Sequence, residues 1–98
     1  MTEFGAEANR RGPARRKGTY AFQSRYLRRH LQEAAAPPFL NGAIVWALRD
    51  FRVHPTWGGG NPKPNPPWNN KGLIDENGAA KPVFGLVQRE FRATRAFR

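Results

Sequence analysis

This sequence offers few places for chemistry to reside. It contains no cysteine, which excludes thiolate metal sites, a cysteine nucleophile and a disulfide-stapled secreted miniprotein. Its two histidines, His30 and His54, have no metal-ligand partner at useful spacing, so both read as surface or packing residues and no metal is expected. Carboxylates are scarce, 7 in 98 residues, and the ones in informative surroundings are Glu3 and Glu7 near the start and Asp50 after an apolar run. Three tryptophans, Trp46, Trp57 and Trp68, offer flat apolar faces. Asn69-Asn70-Lys71-Gly72 sets a lysine after two amides. Taken as bare residues, Glu3 is an ordinary surface acid, Trp46 a core tryptophan, Asp50 a structural acid at a strand end and Glu7 structural.

These residues must be held by the elements around them. From Thr19 to Ala36, Tyr20, Leu27, Leu31 and Ala34 recur near helical spacing with Phe22 and Tyr26 alongside, which predicts an amphipathic helix. Thr19 suits its N-cap, and Pro37-Pro38 stop it because proline cannot continue the hydrogen-bond ladder. Gly42 to Leu48 carries no charge and is rich in β-branched and aromatic residues, so it reads as a strand buried on both faces of a parallel sheet. The one other strand candidate is the stub Thr2-Glu3-Phe4.

Phe51 to Lys81 is predicted to be a long loop, with the Gly/Pro-rich stretch 52–81 interrupted by Gly58-Gly59-Gly60 and by Pro55, Pro62, Pro64, Pro66 and Pro67. Within it, Gly72-Leu73-Ile74 suits a brief extended piece before the Asn77-Gly78 turn. A final amphipathic helix starts at Pro82, with Val83, Phe84, Leu86, Val87 and Phe91 largely on one side. The order is strand, helix, strand, long loop, helix: two βα units of an α/β fold. Two strands cannot bury Ile44, Val45 and Trp46 on both faces without leaving a raw sheet edge, so the piece reads as part of a larger α/β domain.

Charge points elsewhere. Lys and Arg number 17 against 7 acids, a formal charge of 17 − 7 = +10, and such a chain attracts polyanions. The basic residues are scattered, densest between Arg10 and Arg29, and no zinc-finger, ribonucleoprotein or basic-zipper pattern accompanies them. A solvated Arg-rich face is therefore the stronger reading, with polyanion binding the alternative. The longest apolar stretch falls far short of the roughly 20 residues that span a bilayer, so no membrane partner is expected. The opening residues lack a basic region followed by an apolar segment, which favours the cytoplasm.

Four segments in order, Thr2-Glu3-Phe4-Gly5-Ala6-Glu7, Gly42 to Phe51 with its Trp46-x-x-x-Asp50-Phe51, Asn69-Asn70-Lys71-Gly72-Leu73, and Lys81-Pro82, resemble the end of the catalytic barrel of glycoside hydrolase family 2. That family holds β-glucuronidases, β-galactosidases and β-mannosidases. The resemblance spans nearly the whole chain, residues 1–98. It implies a (β/α)8 TIM barrel of which this chain supplies strand seven as a stub, helix seven, strand eight, a long loop and helix eight, with the active site at the C-terminal strand ends. It implies that Glu3 is the nucleophile of a retaining O-glycosyl hydrolase that cleaves terminal β-linked sugars, because such an enzyme needs an ionised carboxylate to attack the anomeric carbon.

The resemblance further implies that Trp46 lines the sugar pocket, where an indole face stacks on the C–H face of a pyranose. Asp50 would support the loop or a pocket residue. Asn69 and Lys71 are similar to the pair with which β-glucuronidases grip a substrate carboxylate, which makes β-glucuronides a candidate substrate. Trp57 and Trp68 would contact sugar or anchor the loop. No cofactor is needed for this chemistry. The chain also departs from the family. A retaining enzyme needs a second carboxylate about 5 to 5.5 Å from the first, and the family's Asn-Glu acid/base motif occurs nowhere in these residues. The chain thus reads as a C-terminal fragment that is inactive by itself, with the other barrel segments as its partners. The remaining alternatives are a basic polyanion-binding protein and an inert gene remnant.

Overall fold

The computed structural model describes residues 3–35, 44–56 and 61–93. Helix α1 spans Tyr20–Ala35, and Thr19 caps it as its side chain predicts: the Oγ1 accepts a hydrogen bond from the Phe22 amide at 3.1 Å, satisfying one of the orphan donors of the first turn. Helix α2 spans Pro82–Ala93. Its first residue is a proline, whose missing N–H costs nothing at that position.

The two helices meet through residues one turn apart. Leu27 and Leu31 of α1, and Val83, Leu86 and Val87 of α2, are buried together with Phe4 and Leu73, and Tyr26, Val45 and Phe84 pack at the margin. Such i, i+3 and i+4 spacings place side chains on one face of each helix.

Beneath the helices, strand β1 (Glu3–Phe4) lies parallel to β4 (Ile44–Val45), with Glu3 opposite Ile44 and Phe4 opposite Val45. This is the pairing expected of two consecutive βα units. Two further strands, β2 (Ala8–Arg10) and β3 (Gly18–Thr19), pair in parallel with a register irregularity. They were not evident in the sequence.

One expectation needs correction. The apolar run is not buried on both faces: Ile44 is 56% exposed, Trp46 45% and Leu48 64%, and the regular strand is limited to Ile44–Val45, residues 42–43 lying outside the described part. The helices cover one side, where Val45 packs, and among the described residues no second layer covers the other. Within 52–81 the described residues make short pairings of their own. Strand β5 (Phe51–Arg52) pairs antiparallel with β6 (Trp68–Asn69), and Ile74 bridges both Arg49 and Ala80. Backbone groups that a long excursion would otherwise leave unpaired find partners by folding back. The Asn77-Gly78 turn forms as expected, with Gly78 at φ 87° and its amide bonded to the Asp75 carbonyl at 3.0 Å.

Candidate active-site segment

Backbone hydrogen bonds bring three of the singled-out segments side by side. The Trp46 amide donates to the Phe4 carbonyl at 2.7 Å, and the Ala47 amide to the Lys71 carbonyl at 3.1 Å. Phe4, Trp46 and Lys71 therefore lie on three adjoining stretches, with Glu3 opening β1 and Trp46 directly following β4. Gly5 permits the approach, because a Cβ there would collide with the Trp46 carbonyl oxygen. The indole of Trp46 is half exposed and meets Phe51 edge-on, ring centroids 5.9 Å apart.

Asn69 is buried, and its Oδ1 accepts from the Lys71 amide at 3.0 Å. This side-chain turn fixes the backbone through 69–71 and leaves Nδ2 as the amide's donor. Lys71 itself is half-buried and lines an open cleft of about 210 Å³ together with Glu7, Lys17, Phe22 and Tyr26. Trp46 and Asn69 do not line it. Trp68 belongs to β6, with the Arg52 guanidinium 5.7 Å from its ring centroid, an anchoring arrangement. Trp57 lies outside the described residues.

Asp50 is held away from solvent and forms the centre of a polar knot. Its Oδ1 accepts from the Gly72 amide and from Lys81 Nζ, both at 2.8 Å, and its Oδ2 accepts from Asn70 Nδ2 at 2.8 Å. Lys81 Nζ also donates to the carbonyls of Ala8 at 2.8 Å and Asn70 at 2.9 Å. Three acceptors match the three N–H donors of an ammonium. Burial pushes the Lys81 pKa down from 10.5, opposed by its hydrogen bond to Asp50. The knot clamps the Asn69–Gly72 turn against Asp50 and the start of α2, and a Cβ at Gly72 would strike the Asp50 backbone. Sequence reasoning noted Lys81-Pro82 without foreseeing this role. A lone lysine just before a helix-starting proline was the only local sign.

His30 packs, as expected, between rings: its centroid is 4.1 Å from Tyr26 and 5.4 Å from Phe4. Its Nδ1 lies 2.9 Å from the Tyr26 carbonyl, which can only accept, so that nitrogen carries the proton. Glu7 is 7% exposed. Its Oε1 accepts from the Asn70 amide at 3.2 Å, while Oε2 is buried without a hydrogen bond among the described residues. Among those residues no group of three metal-ligating side chains converges, and no helix is long and apolar enough to cross a membrane.

No protein-family model and no curated protein matches the chain. Solved structures do. The chain is similar to a GH2 β-galacturonidase from Eisenbergiella tayi bound to galacturonate, with 32% identity and a TM-score of 0.81 over 95% of this chain and 16% of that one. It is similar also to the β-D-glucuronidase of Dictyoglomus thermophilum, with 20% identity and a TM-score of 0.79 over 98% of this chain and 16% of that one. A Faecalibacterium prausnitzii β-glucuronidase matches with 24% identity and a TM-score of 0.73, over 95% of this chain and 15% of that one. The last two likenesses speak for the fold alone. The chain spans about one sixth of the length of the structures it matches. With 32% identity over 95% of its own length, the chain corresponds to a segment of a glycoside hydrolase family 2 enzyme.

Proposed function

We propose that this chain forms the last two βα units of a (β/α)8 barrel in a retaining β-glycosidase that acts on β-linked uronides. The observation that carries the reading is the parallel, in-register pairing of β1 with β4, extended by the Trp46 amide to the Phe4 carbonyl at 2.7 Å. That pairing supports the reading because it sets β1, which opens with Glu3, beside β4, which leads directly into Trp46, and this fold carries its chemistry at the C-terminal ends of its strands.

In this reading Glu3 attacks the anomeric carbon, forming a glycosyl-enzyme ester as the leaving-group oxygen takes a proton from a second carboxylic acid contributed by another barrel segment. Water then cleaves the ester, with that same carboxylate as base. Trp46 supplies a stacking face for the pyranose. Asn69 Nδ2 and Lys71 Nζ donate to the uronate carboxylate, which a neutral sugar lacks. Support for a uronide comes from the galacturonate bound to the E. tayi enzyme and from the turn that ties Asn69 to Lys71. The isolated 98-residue chain, without an acid/base partner, is inactive.

The test is to graft residues 1–98 in place of the matching segment of the E. tayi enzyme and assay aryl β-galacturonide. Glu3→Gln should lower turnover by at least about a thousandfold, as expected for loss of a covalent nucleophile. An active graft indifferent to Glu3→Gln would overturn the assignment.

A further inference from the structure

The backbone and the side chain of Trp46 are held in different ways. The Trp46 amide donates to the Phe4 carbonyl at 2.7 Å, the next amide, of Ala47, donates to the Lys71 carbonyl at 3.1 Å, and Gly5 stands against the Trp46 carbonyl oxygen. The indole, by contrast, is 45% exposed. Among the described residues the ring it rests on is that of Phe51, with centroids 5.9 Å apart and planes at 81°. An edge-on neighbour steadies a ring without lying flat over it, so a face of the indole stays free. Phe51, half-buried, is itself fixed by the β5–β6 hairpin. It pairs directly with Asn69, and Arg52 with Trp68. Paired residues share a face of a ladder while successive residues alternate. Arg52 and Trp68 meet on one face, guanidinium to ring centroid 5.7 Å, which sets Phe51 and Asn69 on the other.

We infer that Phe51 is a positioning residue, which sets the plane of the Trp46 indole and keeps it in step with the turn at Asn69. Trp46 adjoins Phe51 through ring contact and Asn69 adjoins it through strand register. One phenyl ring thus links two side chains that come from separate stretches of chain. A half-exposed indole free to rotate about its side-chain bonds loses that freedom when a sugar stacks on it, and an indole already oriented spares the complex the loss. Phe51 acts on the sugar through Trp46 and not by touching it. The inference rests on the reading of Trp46 as the pyranose platform and adds to it the residue that aims the platform.

The test begins with NMR of the full chain, which needs no sugar. Three-bond couplings should report a single side-chain rotamer for Trp46, with cross-relaxation between its indole and the Phe51 ring. In Phe51→Leu the couplings should average over several rotamers while the signals of Leu27 and Leu31 stay in place, and Phe51→Tyr, which keeps the ring, should preserve the single rotamer. In the graft described above, Phe51→Leu should raise KM for aryl β-galacturonide about two- to tenfold, the worth of an edge-on ring pair, with a smaller change in kcat. Phe51→Tyr should restore KM. In a Trp46→Ala background the same Phe51→Leu change should have no further effect, because the two residues act as one unit. A Trp46 that averages in the wild type, or stays fixed in Phe51→Leu, would overturn the inference. So would an unchanged KM in Phe51→Leu, or an equal rise with and without Trp46. An active Glu3→Gln graft that still shows the coupled KM effect would overturn the nucleophile and leave the role of Phe51 standing.

Discussion

The knot around Asp50 and the outer side of β4 stand within a few residues of each other and could hardly differ more. Asp50 and Lys81 are both almost fully buried, and every oxygen and N–H of their charged groups has a protein partner within 2.8 to 2.9 Å. Ile44, Trp46 and Leu48, by contrast, carry large apolar side chains into solvent. A polar network that satisfies itself needs nothing further to be stable, whereas an apolar face gains only when something covers it. The matched enzymes are about six times as long as this chain, and it is the apolar side of β4, not the knot, that calls for more protein. The contrast separates what holds this segment together from the face it leaves open to a covering layer.

The comparison breaks most visibly at Lys81. Lys81→Met should cost about 3 to 5 kcal/mol, since it leaves the Asp50 carboxylate buried and uncompensated; a chemical denaturation series reads this directly. The same pair of proteins carries a pH signature. Because burial lowers the Lys81 pKa from 10.5, the unfolded chain holds more protons than the folded one between that lowered value and 10.5, so this group adds stability as pH rises through the window. Tyr20 acts in the opposite sense, its pKa raised above 10 chiefly by burial. The difference in stability between wild type and Lys81→Met isolates the lysine and should widen as pH climbs toward 10.5.

At the other end of the scale lies Trp46. Trp46→Ala should change the stability of the isolated chain by no more than about 1 kcal/mol, because the indole is half exposed and gives up one edge contact with Phe51. A loss above about 3 kcal/mol in thermal unfolding would mean that the tryptophan is a core residue here and that the two regions do not differ in kind.

What was legible in the sequence was local. The Thr19 hydroxyl, the proline at 82 and the apolar spacing of Leu27, Leu31, Val83, Leu86 and Val87 each act within a turn or two of chain, and all three sets of signals are realised in the helices. The parallel pairing of β1 with β4 followed from the order of elements. The knot was not legible, because Lys81 reaches partners 31 and 73 positions away, and no local periodicity encodes such a bond. Strands β2 and β3 were hidden because they are only three and two residues long, and Arg10 of β2 finds a side-chain partner in Asn61, 51 positions away. The burial of the Gly42–Leu48 run was misjudged because an uncharged strand reports that it can be covered on both sides, not that both covers lie in the same chain. Of the site, the sequence singled out Glu3, Trp46, Asp50, Asn69 and Lys71. It set Glu7 aside as structural, and the Asn70 amide from which Glu7 accepts lies 63 positions away, beyond the reach of any local pattern.

The central claim, that Glu3 is a glycosidase nucleophile, is tested most directly by capturing the covalent intermediate. A 2-deoxy-2-fluoro galacturonosyl fluoride loses its anomeric fluoride to an attacking carboxylate, and the fluorine at C2 slows hydrolysis of the ester that forms. Applied to the enzyme grafted with residues 1–98 and followed by peptide mass spectrometry, it should leave a fluorosugar on the peptide containing Glu3 and none in Glu3→Gln. Label on Glu7 or on another carboxylate, with Glu3 unmodified in an active graft, would contradict the account.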